Sequence, residues 1–403
     1  MSSSDYVPHD STSFARGPIR ATSSSPPLVA PLELSTVYCP ADLDHVDALN
    51  SGQASGFIYA RDGHPNAAEL AEKLCCLERG EAGLVCASGM GAIASIFLTL
   101  LSQNDRAMIS DGVYGKTASL ATKLLPRWGI QHDVFDPAMG AAALKSLVKP
   151  ETRMIFTETI SNPLLRIADL GAMASVAREA GIPLVVDNTF SPLICRPIEQ
   201  GASLVVHSVT KMIGGHSDLT LGALIGNQGL IEQARALASS LGQTGNPFES
   251  WLARRGLATL SLRFLRACET SLELAGRFEA HDSVERVYYP GLTSHPDHEL
   301  ASRVLDGGFG AIVTIDLGTR DRAQSFIRNL SEVPFAPSLG DVQTTLSHPT
   351  STSHRGQSDD QLARQGISPG MIRISVGIED PDDIWREFRQ ALDALAEVPA
   401  SCA

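Results

Sequence analysis

From residue 83 onward, short runs of apolar residues alternate with segments patterned as amphipathic helices, and this alternation limits the possible folds. The apolar runs lie at residues 84–87, 107–109, 154–156, 183–186, 204–206 and 223–225. Helical patterns lie at residues 92–101, 118–125 and 172–180. The runs lack the polar alternation of a half-exposed strand, so each strand is expected to be covered on both faces. The sequence therefore predicts an α/β fold with a mostly parallel sheet.

Polar residues cluster directly after the predicted strands. Tyr114, Glu158, Asp187 and Ser208 each follow or end one of them, and the small-residue turn Ser88-Gly89-Met90 follows the first. In sheets of this kind, ligands bind beyond the carboxyl ends of the strands. We therefore expect these groups to converge on one crevice.

The chain divides into three predicted parts. Residues 1–60 lack a clear core pattern and are expected to form an arm that contacts a neighbouring subunit. Residues 61–255 carry the alternating pattern, and a helical stretch at 250–280 links them to a smaller C-terminal α+β domain, residues 256–403. In that domain the pattern predicts strands at 284–289, 310–317 and 371–378, and helices at 322–330 and 382–398.

Composition and charge exclude several classes of partner. The formal net charge of -13 argues against nucleic acid, because binding to it depends on Lys and Arg against phosphates. No stretch approaches the roughly 18 to 20 apolar residues that span a bilayer, and residues 1–27, rich in Ser and Pro, are expected to be neither a signal peptide nor a membrane anchor. The seven cysteines form no C-x-x-C pair. We expect reduced thiols in a cytoplasmic protein, without a metal centre.

Lys211 and Asp187 are the centre of the functional prediction. Lys211 closes the segment His207-Ser208-Val209-Thr210-Lys211, and a lysine placed within a site usually carries a Schiff base. Asp187 ends the preceding predicted strand, where its carboxylate can pair with a protonated pyridine nitrogen. Taken singly, each has an ordinary alternative, a solvated loop lysine and an aspartate that caps a turn. Because both can face one ring, the pair indicates pyridoxal 5'-phosphate (PLP) bound to Lys211.

Three further features suit the same cofactor. The turn Ser88-Gly89-Met90 opens a predicted helix, whose free N–H groups and dipole favour a phosphate. The hydroxyls of Ser208 and Thr210 lie close to Lys211 in the sequence. The ring of Tyr114 suits stacking on a planar cofactor, with a core aromatic as the alternative.

Arg373 stands in an apolar predicted strand, where a charge is costly unless it is paired. A planar guanidinium binds a carboxylate through two hydrogen bonds, so a substrate α-carboxylate is a natural partner. An internal salt bridge is the alternative.

Taken in order, these residues resemble the Cys/Met-metabolism family of PLP enzymes, which includes cystathionine gamma-lyases, cystathionine gamma-synthases, methionine gamma-lyases and O-acetylhomoserine sulfhydrylases. The resemblance spans about residues 59–380. The segments that carry it are Tyr59-Ala60-Arg61, Ser88-Gly89-Met90, Val113-Tyr114-Gly115, Ser161-Asn162-Pro163, Asp187-Asn188-Thr189-Phe190, His207-Ser208-Val209-Thr210-Lys211, Gly214-Gly215-His216-Ser217-Asp218, Ser338-Leu339-Gly340 and Ser375-Val376-Gly377-Ile378-Glu379-Asp380.

The resemblance implies an aspartate-aminotransferase-like fold (PLP fold type I) and a homotetramer built from two active-site dimers. It assigns three catalytic residues: Lys211 forms the Schiff base, Asp187 binds the pyridine nitrogen, and Tyr114 stacks on the ring. It assigns the phosphate to Ser88, Gly89, Met90, Ser208 and Thr210, joined across the subunit boundary by Tyr59 and Arg61. Around the substrate carboxylate it places Asn162, Ser338 and Arg373.

Two departures from the family pattern bear on the substrate. Lys116 stands where methionine gamma-lyases carry a cysteine, and Pro337 where cystathionine gamma-lyases usually carry a glutamate. We expect a carbon–sulfur lyase, similar to cystathionine gamma-lyase, that eliminates a thiol from a sulfur amino acid and gives a 2-oxo acid and ammonia. One alternative is a γ-replacement synthase or sulfhydrylase that uses an activated homoserine ester. A remote alternative is a non-catalytic protein that binds a small molecule. Such a protein has no need of a lysine that forms a Schiff base.

Overall fold

A computed structural model describes residues 9–16 and 25–396, and its largest element is a seven-stranded sheet. The strands are β1 (Ala82–Cys86), β2 (Arg106–Ser110), β3 (Gln131–Phe135), β4 (Thr152–Glu158), β5 (Leu184–Asp187), β6 (Leu204–Ser208) and β7 (Gly222–Gly226). Their order across the sheet is β1-β7-β6-β5-β4-β2-β3. Neighbours from β3 to β6 are parallel, whereas β7 is antiparallel to both β6 and β1. Residues 1–8 and 17–24 lie outside the described residues, and they make up most of the segment that was expected to be neither a signal peptide nor a membrane anchor. Cys402 lies outside them too.

Within the described residues, fourteen α-helices surround this sheet and a second, smaller sheet. They are α1 (Asp10–Ala15), α2 (Leu43–Asn50), α3 (Pro65–Glu78), α4 (Gly89–Leu100), α5 (Gly115–Ser119), α6 (Ala141–Ser146), α7 (Leu170–Ala180), α8 (Gln228–Leu241), α9 (Pro247–Leu257), α10 (Leu260–Glu279), α11 (His298–Val304), α12 (Arg320–Arg328), α13 (Asp359–Arg364) and α14 (Pro381–Ala396). Shorter helical turns are a π-turn at Leu120–Leu124 and 3-10 turns at Leu125–Trp128 and Pro349–Ser351. None of these helices is both long enough and apolar enough to cross a membrane.

Two apolar layers cover the large sheet. Leu74 of α3 and Met173 of α7 belong to one layer, and Ile96 of α4 belongs to the other. Along β5 the side chains alternate between the layers, with Val186 in the first and Val185 in the second. Burying a side chain of this size stabilises the fold by roughly 1.5–3 kcal/mol. The prediction of an α/β fold with a mostly parallel sheet covered on both faces is confirmed.

A smaller antiparallel sheet forms the second unit. Its strands are β8 (Arg286–Tyr288), β9 (Ile312–Asp316), β10 (Thr345–Ser347) and β11 (Met371–Ser375), in the order β10-β11-β9-β8. One core joins this sheet to α10, α12 and α14, through residues such as Phe278, Phe326 and Phe388. The expected smaller α+β unit is therefore present, while the exact domain boundaries stay predictions.

The helical stretch expected at residues 250–280 is two helices, with the break at Ala258 and Thr259. The Ala258 and Thr259 amides bond to carbonyls three residues back, which tightens the last turn of α9. The Gly256 carbonyl, which accepts from the Thr259 amide, also accepts from Arg263 Nη2 at 2.8 Å. The stretch is helical as expected apart from these two residues, and the break was not predicted because the apolar stripe continues across it.

Two strands were missed by the sequence analysis. At the edge of the large sheet, β3 has the sequence Gln-His-Asp-Val-Phe, and most of it is at least partly exposed. It therefore has no apolar run to detect. The other, β10, has only three residues and depends on pairing with β11.

The segment before α3 contributes little to the core. Within α2 no residue is buried, and the apolar side chains of Leu28 and Leu43 are 90% and 82% exposed. An exception is Phe14 of α1, which is fully buried.

Candidate active site

A cavity of about 560 Å³ opens at the carboxyl ends of β4, β5 and β6. All residues predicted for the site line it except Tyr59 and Arg61. The cavity lies between the two units, because its wall includes Arg373 of β11 as well as the ends of the large sheet. The polar residues at the strand ends therefore meet in one crevice, as the strand pattern predicts.

Lys211 lies in a tight turn that follows β6. Its amide donates to the Ser208 carbonyl at 3.0 Å, and its side-chain Nζ donates to Ser338 Oγ at 3.0 Å. Burial lowers the pKa of Lys211 to about 8, helped by the positive charge of Arg373. Near physiological pH a far larger fraction of the amine is therefore neutral than in an ordinary lysine, and the neutral form is the one that attacks an aldehyde.

The turn that carries Lys211 depends on Gly215 and Arg263. Gly215 has φ +75°, and a Cβ there would lie 2.0 Å from Arg263 Nη1. Arg263 of α10 donates to the carbonyls of Met212 at 3.0 Å and Ile213 at 3.2 Å. These bonds fix the backbone just after Lys211, and they require the space that only glycine leaves.

Asp187 and Glu158 end neighbouring parallel strands and stand side by side. Burial raises the pKa of both, while hydrogen bonds from Thr189 and the nearby His207 oppose the shift at Asp187. For Glu158 the pKa is raised well above its usual range, first by burial and then by Asp187. Of the two, Asp187 is thus the carboxyl whose ionised form is disfavoured less, and it is the better partner for a cation.

Glu158 also positions Tyr114. Its Oε1 accepts from the Tyr114 amide at 2.6 Å, which places the tyrosine at the start of α5. The Tyr114 side chain is 37% exposed and lines the cavity. Of the two alternatives for this residue, the core aromatic does not match its exposure.

The turn at Ser88 forms the N-terminus of α4. Ser88 caps the helix by accepting from the Gly91 amide at 3.0 Å. The first amides of a helix have no partner within it, so they can bind an anion. Gly89 approaches β6 so closely that a Cβ would lie 2.9 Å from the Cβ of Ser208. The hydroxyl of Thr210 has a second contact, since it bonds to the backbone of Leu221 at 3.1 Å.

Arg373 is 5% exposed and faces the cavity. Its Nη1 donates to Asn162 Oδ1 and its Nη2 to the Ser338 carbonyl, both at 3.0 Å. Burial lowers the pKa of Arg373 to about 10. Within the described chain its Nε has no hydrogen-bond partner, and no carboxylate forms a salt bridge with it. The alternative of an internal salt bridge is therefore not realised in that part of the chain.

The residues around the cavity fit PLP and an amino acid. A helix N-terminus suits the phosphate, Asp187 suits the ring nitrogen, and Lys211 suits the aldehyde. The unpartnered Nε of Arg373 is a donor left for a carboxylate. The cavity thus offers a separate group for each charged part of such a pair.

Two residues predicted for the site do not reach this cavity. Tyr59 is 40% exposed, and the Arg61 guanidinium lies over its ring, 5.4 Å from the centroid. Lys116, singled out as a departure from the family pattern, is also exposed and does not line the cavity.

Sequence reasoning overlooked some of the cavity wall. Thr189, Phe190 and Arg355 line it, and so does the hydroxyl-rich segment Ser351-Thr352-Ser353. Thr189 lies two residues after Asp187, the last residue of β5, so the strand-end pattern was a usable signal for it. Arg355 lies in a loop with no local signal, because its position depends on how residues 349–357 fold back over Gly115.

Comparison with known proteins places these features in one family. The family model described as Cys/Met metabolism PLP-dependent enzyme matches residues 11–393. The chain is 38% identical to cystathionine gamma-lyase of Bacillus subtilis (strain 168), over 86% of this chain and 91% of that protein. It is 36% identical to L-methionine gamma-lyase of Pseudomonas putida, over 92% of this chain and 93% of that one.

The fold is shared with solved structures. Cystathionine gamma synthase from Xanthomonas oryzae pv. oryzae superposes with a TM-score of 0.90 at 32% identity, covering 97% of this chain and 99% of that one. The expected PLP fold type I is therefore confirmed, as is the dependence on PLP. This chain belongs to the Cys/Met metabolism family of PLP-dependent enzymes.

Proposed function

We propose that this enzyme is a carbon–sulfur lyase that eliminates a thiol from a sulfur amino acid. The observation that carries the proposal is the way Ser338 links the two reacting ends of the cavity. Its Oγ accepts from Lys211 Nζ, and its carbonyl accepts from Arg373 Nη2, both at 3.0 Å. Both bonds support a substrate whose carboxylate binds Arg373 and whose α-carbon faces the amine of Lys211.

Each residue has a separate task. PLP, when bound, supplies the electron sink for the carbanion formed at Cα. Arg373 and Asn162 orient the substrate carboxylate, and Asp187 holds a proton on the ring nitrogen. Lys211 removes the α-proton, with a pKa of about 8 that keeps the base near the working pH.

The overall reaction is an elimination followed by hydrolysis. A second proton leaves Cβ, and the C–S bond at Cγ breaks with both electrons going to sulfur. The unsaturated chain then takes up one proton at Cγ and one at Cβ, which replace the two protons removed from Cα and Cβ. The thiolate takes up a proton. One water replaces the amino group, so the products are a thiol, a 2-oxo acid and ammonia.

The phosphate site is proposed to be shared between subunits of a homotetramer built from active-site dimers. Tyr59 and Arg61 are exposed and lie outside their own chain's cavity. Exposed apolar residues precede them, including Leu28, Val29 and Leu34. Both observations support an arm that carries Tyr59 and Arg61 into a neighbour's site.

A γ-replacement reaction is the second candidate, and Arg355 favours it. This arginine lines the cavity with an exposed side chain, and no carboxylate of the described chain pairs with it. A free cation at the wall suits an anionic γ-substituent, such as the ester of a dicarboxylic acid. O-succinylhomoserine sulfhydrylase of Pseudomonas aeruginosa is 39% identical over 86% of both chains.

A product assay separates the two reactions. Purified enzyme is given cystathionine, methionine, homocysteine, O-acetylhomoserine or O-succinylhomoserine, each with and without an added thiol. Elimination predicts 2-oxo acid and ammonia without added thiol, and Lys211→Ala should abolish both. A thioether formed only from a homoserine ester and thiol, without 2-oxo acid from any substrate, would establish replacement instead.

A further inference from the structure

A group of buried polar side chains lies behind the strand ends that carry the site, and the proposed chemistry does not use it. We call this group the rear cluster. All its members are at most 1% exposed: Glu78, Thr159, Asn188, Ser191 and His207. Polar groups buried this deeply are costly unless they are hydrogen-bonded.

Glu78 is the centre of the rear cluster. Its Oε1 pairs with His207 Nε2 at 2.6 Å and accepts from Asn188 Nδ2 at 2.9 Å. Asn188 Oδ1 in turn accepts from Thr159 Oγ1 at 2.8 Å and Ser191 Oγ at 2.7 Å. One carboxylate at the last residue of α3 therefore ties together the ends of β4, β5 and β6.

The rear cluster and the site occupy alternate positions of the same strands. Asp187 precedes Asn188, and His207 precedes Ser208. Successive side chains of an extended strand point to opposite faces. Asp187 and Ser208 accordingly line the cavity, while Asn188 and His207 do not. A backbone shift at either rear residue would move its neighbour in the site.

Stability alone does not explain the rear cluster. A buried ion pair is often no better than apolar side chains of the same shape. In addition, Glu78 Oε2 has no hydrogen-bond partner among the described residues. An unmet acceptor in the core lowers the stability of the fold.

The rear cluster also acts on Asp187 through charge. Glu158 of β4 and His207 of β6 are the ionisable groups beside Asp187, with Glu78 behind His207. His207 lowers the pKa of Asp187, against the upward effect of burial. Glu78 is hydrogen-bonded to Nε2 of this imidazole, so it fixes the orientation of the ring beside Asp187.

We propose that Glu78 is a positioning residue of the active site, which fixes the ends of β5 and β6 through Asn188 and His207. It thereby holds Asp187 in register with the turn of Lys211. The inference rests on the cofactor position between Lys211 and Asp187 proposed above.

The test compares Glu78→Gln with Glu69→Gln in the apoprotein and the holoenzyme. Glu69 is a matched control, because it is buried on the same helix and paired with Arg254 at 3.1 Å. Three quantities are measured: the melting temperature, the Kd for PLP, and the pH midpoint of the visible absorbance of the bound cofactor. None of them requires turnover.

Both variants should melt at a lower temperature, since each removes a buried charge. Only Glu78→Gln should also weaken PLP binding by roughly tenfold or more, as happens when a partner that orients a binding side chain is removed. It alone should shift the absorbance midpoint. If Glu78→Gln does not fold, His207→Gln, which keeps a side-chain N–H donor but removes the imidazole, should show the same two changes.

The inference would be overturned if Glu78→Gln bound PLP as tightly as Glu69→Gln and had the same absorbance midpoint. The same result for His207→Gln, where that variant is used, would also overturn it. The rear cluster would then be structural only. A wild-type protein that fails to bind PLP at Lys211 would instead contradict the proposed site, so the two failures are distinguishable.

Discussion

Burial lowers the pKa of Lys211 from 10.5 to about 8, with Arg373 adding to the effect. Below about pH 8 the folded and unfolded chains both hold this proton, so the folded state bears the full cost of a buried charge. Between about pH 8 and 10.5 the unfolded chain binds more protons than the folded one. Stability therefore rises with pH through that window.

Apoprotein with Lys211→Met should accordingly be more stable than wild type at pH 7, by up to about 3 kcal/mol. The difference should shrink as the pH rises above 8. Thermal melting at pH 7 and pH 9.5 measures it, with the exposed Lys116→Met as the control that should change neither value. A wild-type apoprotein at least as stable as Lys211→Met at pH 7 would contradict the buried, destabilising amine.

A second prediction concerns Arg373, whose Nε has no hydrogen-bond partner among the described residues and is available to a substrate carboxylate. Arg373→Ala should weaken substrate binding by about 2–5 kcal/mol, the range for losing a buried, hydrogen-bonded charge partner. The Kd for PLP, measured on the same variant, should change far less. Equal losses of substrate and cofactor affinity would assign Arg373 a structural role.

At the scale of elements, the site depends on how α10 meets the turn after β6. Arg263 donates to carbonyls of that turn, and Gly215 leaves room for its guanidinium. The same helix contributes Phe264 to the core beneath the large sheet and Phe278 to the core of the smaller one. A single helix thus connects the position of Lys211 to both hydrophobic cores.

Gly215→Ala should damage the site more than the fold. A left-handed backbone position costs an alanine about 1–2 kcal/mol, and here the Cβ would also meet Arg263. Gly242→Ala is the matched control, because Gly242 has φ +69° and open space around it. Both should lower the melting temperature, but only Gly215→Ala should reduce the PLP fixed by borohydride at Lys211. Equal fixation in both variants would show that the turn tolerates the added methyl group.

At the scale of the whole molecule, the proposed arm predicts a site made by two chains. Hybrid dimers of Arg61→Ala and Lys211→Ala subunits should regain activity, because one of their two sites combines an intact Arg61 with an intact Lys211. The control is a hybrid of Arg373→Ala and Lys211→Ala. Both residues line one chain's own cavity, so neither site is restored. No recovery in verified hybrids of the first kind would place Arg61 outside the neighbour's site.

The sequence by itself determined the class of fold and the position of the catalytic centre. Unbroken apolar runs require burial on both faces, and that requirement specifies a sheet between helices. Asp187 ends β5 and Lys211 follows β6 three residues after its last strand residue, so the location of both depends only on chain-local pattern. Polar residues at parallel strand ends must meet at one edge of the sheet.

The tertiary structure alone decided which groups are paired. Nothing in the sequence around Arg373 distinguishes a salt bridge from a guanidinium with a free Nε. Glu78 and His207 are 129 positions apart, and Arg355 reaches the cavity only because its loop folds over Gly115. Contacts of this kind depend on how the two cores bring distant segments together, and the pattern of neighbouring residues carries no information about that distance.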